Sequence, residues 1–576
     1  MAGCARSLGA PGPGRAPRTV DVQLIAFNDF HGTLDPPTGS NSRIGTTEAG
    51  GVEYLATLVA RLRAANPNTI VVSAGDNIGA SPLLSGMFHD EPTIEALGQA
   101  GLQISAVGNH ELDEGWWELY RMQKGGCHPV DGCQDKTPFA GARFQFLSAN
   151  VILDARHADQ KALRTSGWRG AAAGPQPLFP PYAIRTVGGV KVGFIGLVLR
   201  GAREVVAPTA TVGLTFRPEA EAANEAAAAL VGQGVRAIVV LIHEGGTQGP
   251  TGTADTCEEM TGPIGRIVDD LSSDIDVVVS GHTHQAYNCM RGTTLLTSAA
   301  SFGRLVTDID MRVDRATGEV VAKSAHNLIV TRDVPKSAAV TAILDHYRPL
   351  TIALGSRVVG SIATEIQRLP NMAGESALGG LLADAFLEAT KNAAGGGAVA
   401  AFINGGVLVR PDGPWGPGGI RGDLTGLPPA TPGGPRQVTY GQLFEVLPYG
   451  NRPIVKTLSG DAILRVLEQQ FDNPQPGSRK MLEVSTGVSY TYRLSGTPGR
   501  RVDPASVMIG GRPLDRGARY RVTFPDFVWD GGDGFTVLSE GTDPADAGFD
   551  VDVLAAYLGQ HSPVPPPQQN RIRREP

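Results

Sequence analysis

The sequence predicts an α/β protein of two domains, and three observations support this prediction. Apolar runs rich in β-branched residues alternate with amphipathic stretches in the first half of the chain, as in a largely parallel sheet covered by helices. The pattern of apolar and polar residues changes near residue 335, where a helical stretch precedes a second alternating region. At 576 residues the chain is also longer than one hydrophobic core usually supports. The predicted divisions are a disordered tail at 1–18, a first domain at 19–334, a linker helix at 335–357, a second domain at 358–560 and a disordered tail at 561–576.

The individual elements follow from the periodicity of the apolar residues. Strands are predicted at 20–27, 69–73, 104–107, 146–149, 190–197, 237–242 and 277–280. Helices are predicted at 51–65 and at 220–232, and the runs at 295–298 and 305–313 are predicted to be antiparallel strands that close the first domain. The second domain is predicted to contain a helix at 375–390, a strand at 398–403 and a long Gly/Pro-rich loop at 411–436.

Charge and composition narrow the classes of function. The formal net charge is -7, and Lys and Arg are not clustered, which argues against nucleic-acid or anionic-membrane binding as the main task. The sequence shows no internal repeat of fixed period, and no apolar stretch is long enough to span a bilayer. We therefore predict a small-molecule partner, no nucleic-acid partner, no transmembrane segment, and a monomer or dimer.

Four of the five cysteines predict two disulfides. Cys127 and Cys133 flank a short loop, and Cys257 and Cys289 bracket one helix-strand unit. This even number and loop placement indicate an oxidising compartment, so we expect export. The alternatives are free thiols in a cytosolic enzyme and a four-cysteine zinc site, although a Cys-x-x-Cys knuckle is missing. Titration of the native, unreduced protein should find no more than one reactive thiol.

The fifth cysteine lies in Met-Ala-Gly-Cys-Ala at the start of the chain. This segment resembles the end of a bacterial lipoprotein signal whose apolar part is missing. A truncated precursor or a misplaced start would explain both the match to the signal and the missing apolar part. Cys4 would then be a lipid-anchor site in the precursor. The alternative is a chance match in a Gly/Pro/Ala-rich tail.

Polar side chains follow the predicted strands of the first domain in five short segments, and they form one ordered series of candidate metal ligands. These candidates are Asp29, His31, Asp76, Asn109, His243, His282 and His284. Because ligands of parallel sheets bind beyond the carboxyl ends of the strands, we expect them along one sheet edge. A single His or Gly-Asp after a strand is usually a core residue or a turn, so the prediction rests on the whole series.

The chemistry of this series predicts two ions. Imidazole, carboxylate and amide donors suit Zn, Mn or Fe better than Mg or Ca alone. Seven ligands are too many for one ion, and they suit a pair roughly 3.5–4 Å apart that shares a bridging carboxylate. We therefore predict a site for two divalent metal ions that serves phosphoester hydrolysis.

The motifs around these residues resemble those of a known family. The segments Leu-Ile-Ala-Phe-Asn-Asp-Phe-His-Gly, Gly-Asn-His-Glu-Leu-Asp and Gly-His-Thr-His-Gln resemble the calcineurin-like metallophosphoesterases, and specifically the 5'-nucleotidase family. The resemblance implies an N-terminal α/β/β/α sandwich that is catalytic and a smaller C-terminal α/β nucleotide-binding domain. It assigns the first ion to Asp29, His31, Asp76 and His284, and the second to Asp76, Asn109, His243 and His282. His110, oriented by Asp113, would be the catalytic pair. Some family members carry Gln where His284 stands.

The resemblance extends into the second domain and implies a nucleotide site. The quoted segments are Gly374-Glu375-Ser376-Ala377-Leu378-Gly379, Asn404-Gly405-Gly406, Gly418-Gly419-Ile420-Arg421, Val446-Leu447-Pro448-Tyr449-Gly450 and Phe527-Val528-Trp529-Asp530-Gly531-Gly532-Asp533. By resemblance, substrate would be bound by Arg368, Asn404, Gly406, Arg421, Tyr449, Phe527 and Asp533. Within this set Arg421 and Arg368 would bind phosphate, Tyr449 and Phe527 would clamp the base, and Asp533 would accept from the ribose hydroxyls. Arg410, in an insertion that splits the glycine loop, is a rival to Arg421. Gly380 and Tyr449 depart from the usual Asn and Phe.

The predicted function is hydrolysis of nucleoside 5'-phosphates, extending to nucleoside diphosphates or UDP-sugars. Rival interpretations within the enzyme class are a 2',3'-cyclic-nucleotide 2'-phosphodiesterase with 3'-nucleotidase activity and a thiosulfohydrolase. The non-enzyme alternative is a surface nucleotide-binding or adhesion module. By resemblance, the protein would be bacterial and periplasmic, cell-surface or secreted, and its second domain would rotate to present the nucleotide.

Overall fold

The computed structural model describes residues 18–37, 39–158, 174–404, 423–472 and 479–576; for residues 39 and 40 only the backbone is described. The first domain is built on two six-stranded sheets. In spatial order the first sheet contains Val320–Ile329, Leu305–Asp314, Thr19–Phe27, Thr69–Ser73, Ile104–Ala106 and Gln145–Leu147. The second contains Ala286–Arg291, Thr294–Ala299, Val277–Ser280, Ala237–His243, Val190–Val198 and Tyr182–Val187.

The two sheets pack face to face and are covered by helices on both outer faces. Val22, Leu24 and Val72 of the first sheet share one buried cluster with Phe194 and Leu241 of the second. Helices Val52–Ala65, Glu91–Ala100 and Trp116–Lys124 cover the first sheet, and Glu219–Gly232 with Pro263–Asp269 cover the second. Strands such as Thr69–Ser73 are buried on both faces, which explains their continuous β-branched runs. The predicted α/β/β/α sandwich is confirmed.

One sequence-based expectation about the sheets is wrong, and a second is confirmed on one side only. The strands that precede the predicted ligands do not share one sheet: Thr19–Phe27 and Thr69–Ser73 lie in the first, and Ala237–His243 and Val277–Ser280 lie in the second. Thr294–Ala299 pairs antiparallel with Ala286–Arg291, as predicted, but pairs in parallel with Val277–Ser280 on its other side. Both outcomes depend on the choice of pairing partner, which the alternation of apolar residues does not encode.

Helix Ala338–Gly355 connects the first domain to the second. The central sheet of the second domain has the order Leu482–Val484, Ala400–Asn404, Arg519–Pro525, Pro453–Ser459 and Thr542–Asp546. Its main helices are Ala377–Thr390, Tyr440–Val446, Gly460–Gln469 and Asp550–His561. A two-stranded sheet of Val358–Ile362 and Arg436–Thr439 stands beside them.

The prediction of a disordered tail after residue 560 is wrong. Ile572–Glu575 forms a strand that pairs in parallel with Tyr490–Arg493. Ile572 is buried, and the guanidinium of Arg571 donates to the Asp384 carboxylate at 2.7 Å. The segment has few apolar residues, but one buried side chain, one ion pair and the strand hydrogen bonds order it.

Helix Ala377–Thr390 begins two residues later than predicted because Ser376 is its N-cap. The Ser376 hydroxyl accepts from the Gly379 N–H at 3.0 Å. The buried Glu483 then accepts from both the Ser376 N–H and the Ser376 hydroxyl, at 2.9 and 2.6 Å. Burial of Glu483 raises its pKa to about 8, although the Ser376 hydrogen bonds oppose the shift.

Replacing Glu483 with glutamine should change how stability depends on pH. The folded-state pKa of about 8 exceeds the reference value of 4.5, so folding takes up a proton between these values. The contribution of Glu483 to stability should therefore be full below pH 4.5 and decline as the pH rises towards 8. Glu483→Gln cannot ionise and should be more stable than the wild type by about 2–4 kcal/mol at pH 8, with little difference at acid pH. Urea unfolding at both pH values measures this.

The matched control is Glu388→Gln, because Glu388 lies in the helix that Ser376 caps but has a side chain that is 35% exposed. It should shift the free energy of unfolding only slightly at either pH. A stability difference for Glu483→Gln that is the same at acid and alkaline pH would contradict the proposed ionisation.

The structure pairs Cys127 with Cys133 and Cys257 with Cys289, as predicted. Cys4 lies outside the described residues. None of the helices in the described parts of the chain has both the length and the apolar character needed to cross a membrane.

Candidate active site at the domain interface

The predicted metal ligands follow strand ends in tight turns. Five of them adopt the left-handed backbone conformation that non-glycine residues usually avoid: Asp29, His31, Asp76, His282 and His284 have φ values between 49° and 71°. Such conformations cost of order 1–3 kcal/mol each and persist where the surrounding structure holds them. These turns therefore keep a costly backbone conformation, and this conformation places the ligand side chains.

Six of the seven predicted ligands converge in space, although they come from two sheets. One ligand atom of each residue lies within 4.8 Å of the others in three groups: Asp29 with His31 and His284, Asp76 with His243 and His282, and His31 with Asp76 and His110. The shortest separations are 2.9 Å between His243 Nε2 and Asp76 Oδ2 and 3.1 Å between His31 Nε2 and His284 Nε2. Asp76 belongs to two of these groups, as a bridging ligand would.

The donor set fits divalent cations. Asn109 is buried, and neither atom of its side-chain amide has a hydrogen-bond partner among the described residues. A buried amide without a partner is costly, and a cation would satisfy its oxygen. His243 Nε2 also lacks a directed hydrogen bond within the described parts, despite its approach to Asp76, while its Nδ1 faces the Ala74 carbonyl at 2.9 Å. That second contact orients an imidazole as metal sites commonly require.

Asp76 and His282 have the ionisation that metal binding requires, whereas His243 does not. Burial opposes a charge on His243, but Asp76 outweighs it and raises the pKa of His243 to about 10, so His243 must release a proton to bind an ion. Burial alone would raise the pKa of Asp76, but His243 and His110 outweigh it and hold that pKa well below its usual range. Burial and the neighbouring His243 lower the pKa of His282 to about 3. Asp76 is thus an anion and His282 a neutral imidazole near pH 7, the forms that bind metals.

Glu111 organises the backbone beneath these ligands and was given no role from the sequence. Its carboxylate accepts from the backbone N–H groups of Asp76, Asn77 and Gly108 at 2.8, 2.8 and 2.6 Å. A Cβ at Gly108 would stand 2.2 Å from Asp76 Oδ1, so only glycine allows this approach. The Gly-Asn-His-Glu segment quoted for the family contained both residues, which was the available signal.

His110 and Asp113 form a hydrogen-bonded pair beside the metal-type donors. His110 Nδ1 lies 2.7 Å from Asp113 Oδ2, and the His110 backbone N–H donates to Asp76 Oδ1 at 2.9 Å. Burial works against a charge on the imidazole, but Asp113 and Asp76 outweigh it and raise the pKa of His110 to about 9. His110 is therefore a cation near pH 7, with its Nδ1 side oriented by Asp113.

A cavity of about 370 Å³ lies between the two domains and joins these residues to the predicted nucleotide pocket. From the first domain it is lined by Asn109, His110, Asp113, Glu114, Val205, Ala207 and Thr209. From the second it is lined by Asn404, Tyr449, Gly450, Asn451, Asp526, Phe527, Asp530 and Asp533. The ring of Tyr449 stacks on that of His110, with centroids 5.9 Å apart and planes at 28°. This volume is within the range of small-molecule sites.

The polar end of the pocket is held by a buried network. Asn404 Nδ2 donates to Asp533 Oδ2 at 3.1 Å, and the Lys480 ammonium stands 3.0 Å from Asp533 Oδ1. Lys480 was not predicted, because it lies far from Asp533 in sequence and no motif marks it. A Cβ at Gly532 would lie 2.5 Å from the Phe527 ring, so glycine lets that ring pack against the turn.

Of the remaining predicted substrate residues, the structure describes Arg368 alone. Arg368 is not among the residues that line the cavity, and its backbone N–H donates to Asp423 Oδ1 at 2.9 Å. Gly406, Arg410 and Arg421 lie outside the described residues, so the choice between the two arginines stays a prediction.

Comparisons with known proteins agree with this architecture. A family model for the 5'-nucleotidase C-terminal domain matches residues 358–540. The cell wall protein Lmo0130 of Listeria monocytogenes is 31% identical over 571 residues, covering 94% of this chain and 68% of that protein. The endonuclease YhcR of Bacillus subtilis is 29% identical over 515 residues, covering 88% of this chain but only 37% of that protein. A solved 5'-nucleotidase precursor from Thermus thermophilus matches with a TM-score of 0.72 and 27% identity, over 97% of this chain and 100% of that chain.

The first domain has four layers and a set of converging metal-type donors, and the second domain forms the other wall of the cavity. Together these features define a two-domain protein of the metallophosphoesterase class. The chain belongs to the 5'-nucleotidase family, whose members are phosphoric monoester hydrolases. The resemblance drawn from the sequence motifs is therefore confirmed.

Proposed function

We propose that this protein hydrolyses nucleoside 5'-phosphates to nucleoside and phosphate with the help of two divalent cations. The observation that carries the proposal is the shared cavity, which joins His110 and Asn109 to Tyr449, Phe527 and Asp533. A nucleotide has both a phosphoryl group for the first set and a base with a ribose for the second. The solved Thermus relative, which is named a 5'-nucleotidase precursor, adds support.

The proposed ligands of the first ion are Asp29, His31, Asp76 and His284, and those of the second are Asp76, Asn109, His243 and His282. When bound, the ions would supply Lewis acidity to the phosphoryl group and activate the attacking water. Zinc, manganese or iron suits these donors.

Side chains of the protein would stabilise the developing charge and bind the base and the ribose. Protonated His110, oriented through Nδ1 by Asp113, would donate from Nε2 to the oxygen on which negative charge develops. Tyr449 and Phe527 would stack on the base, which tolerates purine and pyrimidine alike. Asp533, held by Lys480 and Asn404, would accept from the ribose hydroxyls.

A chromatographic screen that separates nucleosides, nucleoside monophosphates and sugar phosphates, combined with a phosphate assay, tests this function. AMP, 3'-AMP, 2',3'-cyclic AMP and UDP-glucose should be compared under identical metal conditions, with a chelated sample as the control. We expect AMP to be hydrolysed fastest and chelation to abolish turnover. The cyclic phosphodiester is included because the YhcR relative is named an endonuclease. A preference for 2',3'-cyclic AMP would replace the proposal with the phosphodiesterase alternative. Nucleotide binding without turnover of any substrate would favour the non-enzyme alternative.

Replacing Tyr449 with alanine should raise KM for nucleotides by about 5- to 100-fold, because a stacked base contributes about 1–3 kcal/mol. Hydrolysis of a simple aryl phosphate, which has no base to stack, should change little. Tyr449→Phe is the matched control, since it keeps the ring, and it should bind nucleotides nearly as well as the wild type. An equal loss on both substrates would contradict the stacking role and point to the contact with His110 instead.

We also propose that the protein acts outside the cytoplasm of a bacterium. The two disulfides and the similarity to a Listeria cell wall protein support this. The thiol titration described above tests it, because several reactive thiols in the native protein would oppose export.

A further inference from the structure

A second group of metal-type donors lies away from the strand ends, where a helix start and a disulfide-closed loop meet. This group, called here the His89 cluster, consists of His89, Glu114, Glu118, His128 and Asp131. One ligand atom from each member except Asp131 lies within 4.8 Å of the others. Donors that each stand about 2 Å from a single ion are separated from one another by about 3–4 Å. The spacing of the cluster therefore fits one shared cation after small adjustments.

The shortest contacts of the cluster join imidazoles to carboxylates. His89 Nδ1 lies 2.6 Å from Glu114 Oε2, and His89 Nε2 lies 2.9 Å from Asp131 Oδ2. His128 Nδ1 stands 3.2 Å from the same Asp131 oxygen. The side chains of His89 and His128 are 15% and 14% exposed, so solvent ions can reach the cluster although most of it is shielded.

At least one imidazole of the cluster is uncharged. The rings of His89 and His128 stack with centroids 3.8 Å apart and planes at 16°. Two imidazolium ions at that distance would repel each other, so both rings cannot be charged. The Asp131 backbone N–H donates to His128 Nδ1 at 3.1 Å, so His128 is the neutral ring and carries its proton on Nε2. To bind a cation through Nδ1, His128 exchanges this hydrogen bond for the ion, and no proton has to be lost.

The charges around the cluster leave negative charge for a cation to neutralise. Arg121 donates from Nε to both carboxylate oxygens of Glu118, each at 2.9 Å, and it also pairs with Glu91. Among the described ion pairs, Glu114 and Asp131 face the two imidazoles rather than a Lys or Arg. Both nitrogens of His89 face these carboxylates, so His89 is the charged ring of the pair, and a divalent ion binds by replacing one of its protons.

The segments that carry the donors are held in place before any ion binds. The disulfide between Cys127 and Cys133 closes the loop that contains His128 and Asp131. Within it His128 and Gly132 exchange two backbone hydrogen bonds, at 3.2 and 2.9 Å. His89 has a φ of 51°, the same left-handed conformation that the strand-end donors adopt. Because the donors are already ordered, cation binding would cost little conformational entropy.

We propose that the His89 cluster binds one divalent cation of the zinc class, with the two imidazoles as nitrogen ligands and the adjacent carboxylates as oxygen ligands. Glu114 follows Asp113 in the chain, and both line the cavity. The cation therefore ties the disulfide loop to the segment that carries His110, and its role is structural.

Zinc stoichiometry tests the proposal in the full-length chain. The protein is stripped with a chelator, dialysed to equilibrium against low-micromolar Zn²⁺, and the bound zinc is measured by mass spectrometry. The wild type should hold one more zinc per chain than the His89→Ala/His128→Ala variant. His128→Gln, which keeps the size of the side chain, should show the same loss. His157→Ala is the control, because His157 lies 3.0 Å from the Asp154 carboxylate in an exposed pair elsewhere, and it should match the wild type.

Two further variants separate this proposal from the two-ion site. Asp76→Asn should retain one zinc, and Asp76→Asn combined with His128→Gln should retain none. Equal zinc in the wild type and in the His89/His128 variants overturns the proposal and leaves the cluster as an ion-pair network. If the wild type holds a single zinc that only the His128 substitution removes, the cluster site stands and the two-ion site fails.

Discussion

Replacing His110 with alanine is expected to lower kcat by about 10²- to 10⁴-fold while leaving metal content and KM for AMP near the wild-type values. The reason is geometric: His110 lines the cavity beside Asn109 and Tyr449, but His110 is not one of the residues proposed to hold the ions. Its hydrogen bond to Asp113 fixes the ring, and its raised pKa keeps it charged near pH 7. Steady-state kinetics together with metal analysis measure the effect.

The control for His110→Ala is His157→Ala. His157 forms the same kind of imidazole–carboxylate pair at the same sequence spacing, with Asp154, but on the surface. That variant should keep full activity. Asp113→Asn should give an intermediate loss, because the imidazole remains but loses its orienting carboxylate. A His110→Ala enzyme with wild-type kcat would remove His110 from the mechanism.

Replacing Asp76 with asparagine is expected to remove both ions of the strand-end site and to lower activity by about 10³-fold or more. Asp76 and His31 each belong to two of the donor groups, but only the carboxylate offers two oxygens, and it stands 2.9 Å from His243 and 3.7 Å from His31. A neutral amide has one acceptor oxygen and no charge to balance two cations. The ions provide several kcal/mol of charge stabilisation, which corresponds to the stated loss.

Metal analysis and AMP turnover should be measured on the same Asp76→Asn preparation. Asp308→Asn is the control, because Asp308 lies in the same domain, outside the donor groups, and its carboxylate accepts from the Gln23 amide at 2.7 Å. It should retain the wild-type metal content. A folded Asp76→Asn variant that still holds two ions at the strand ends would contradict the bridging role.

The local elements could be predicted because they depend on short-range patterns. Val277–Ser280 occurs where its β-branched run was predicted, and Val52–Ala65 begins one residue inside the predicted helix. Helix Ala377–Thr390 was misjudged by two residues because a side-chain cap decides where it begins. The strand at Ile572–Glu575 was missed because its stability comes from distant partners, among them Asp384 and Tyr490.

The residues of the candidate site also separate into those that a local pattern predicted and those that it did not. His31 and His284 were chosen as ligands because each follows an apolar run, and their Nε2 atoms stand 3.1 Å apart although 253 positions separate them in the chain. Lys480 beside Asp533, and His89 beside His128, had no comparable signal. Each belongs to a contact between segments that have no common motif.

By itself, the sequence determined which chemical groups stand at the ends of which strands, and it determined the disulfide partners and the family. The period of the apolar residues and the residue type that follows each run are local properties, so they can be read without knowing the fold. Only the tertiary structure decided that Asp29 and Asp76 meet His243 and His282 across two packed sheets, and that Tyr449 stacks on His110 across the domain boundary. These contacts depend on which sheet each strand joins and on how the layers pack, and residues far apart in the chain set both.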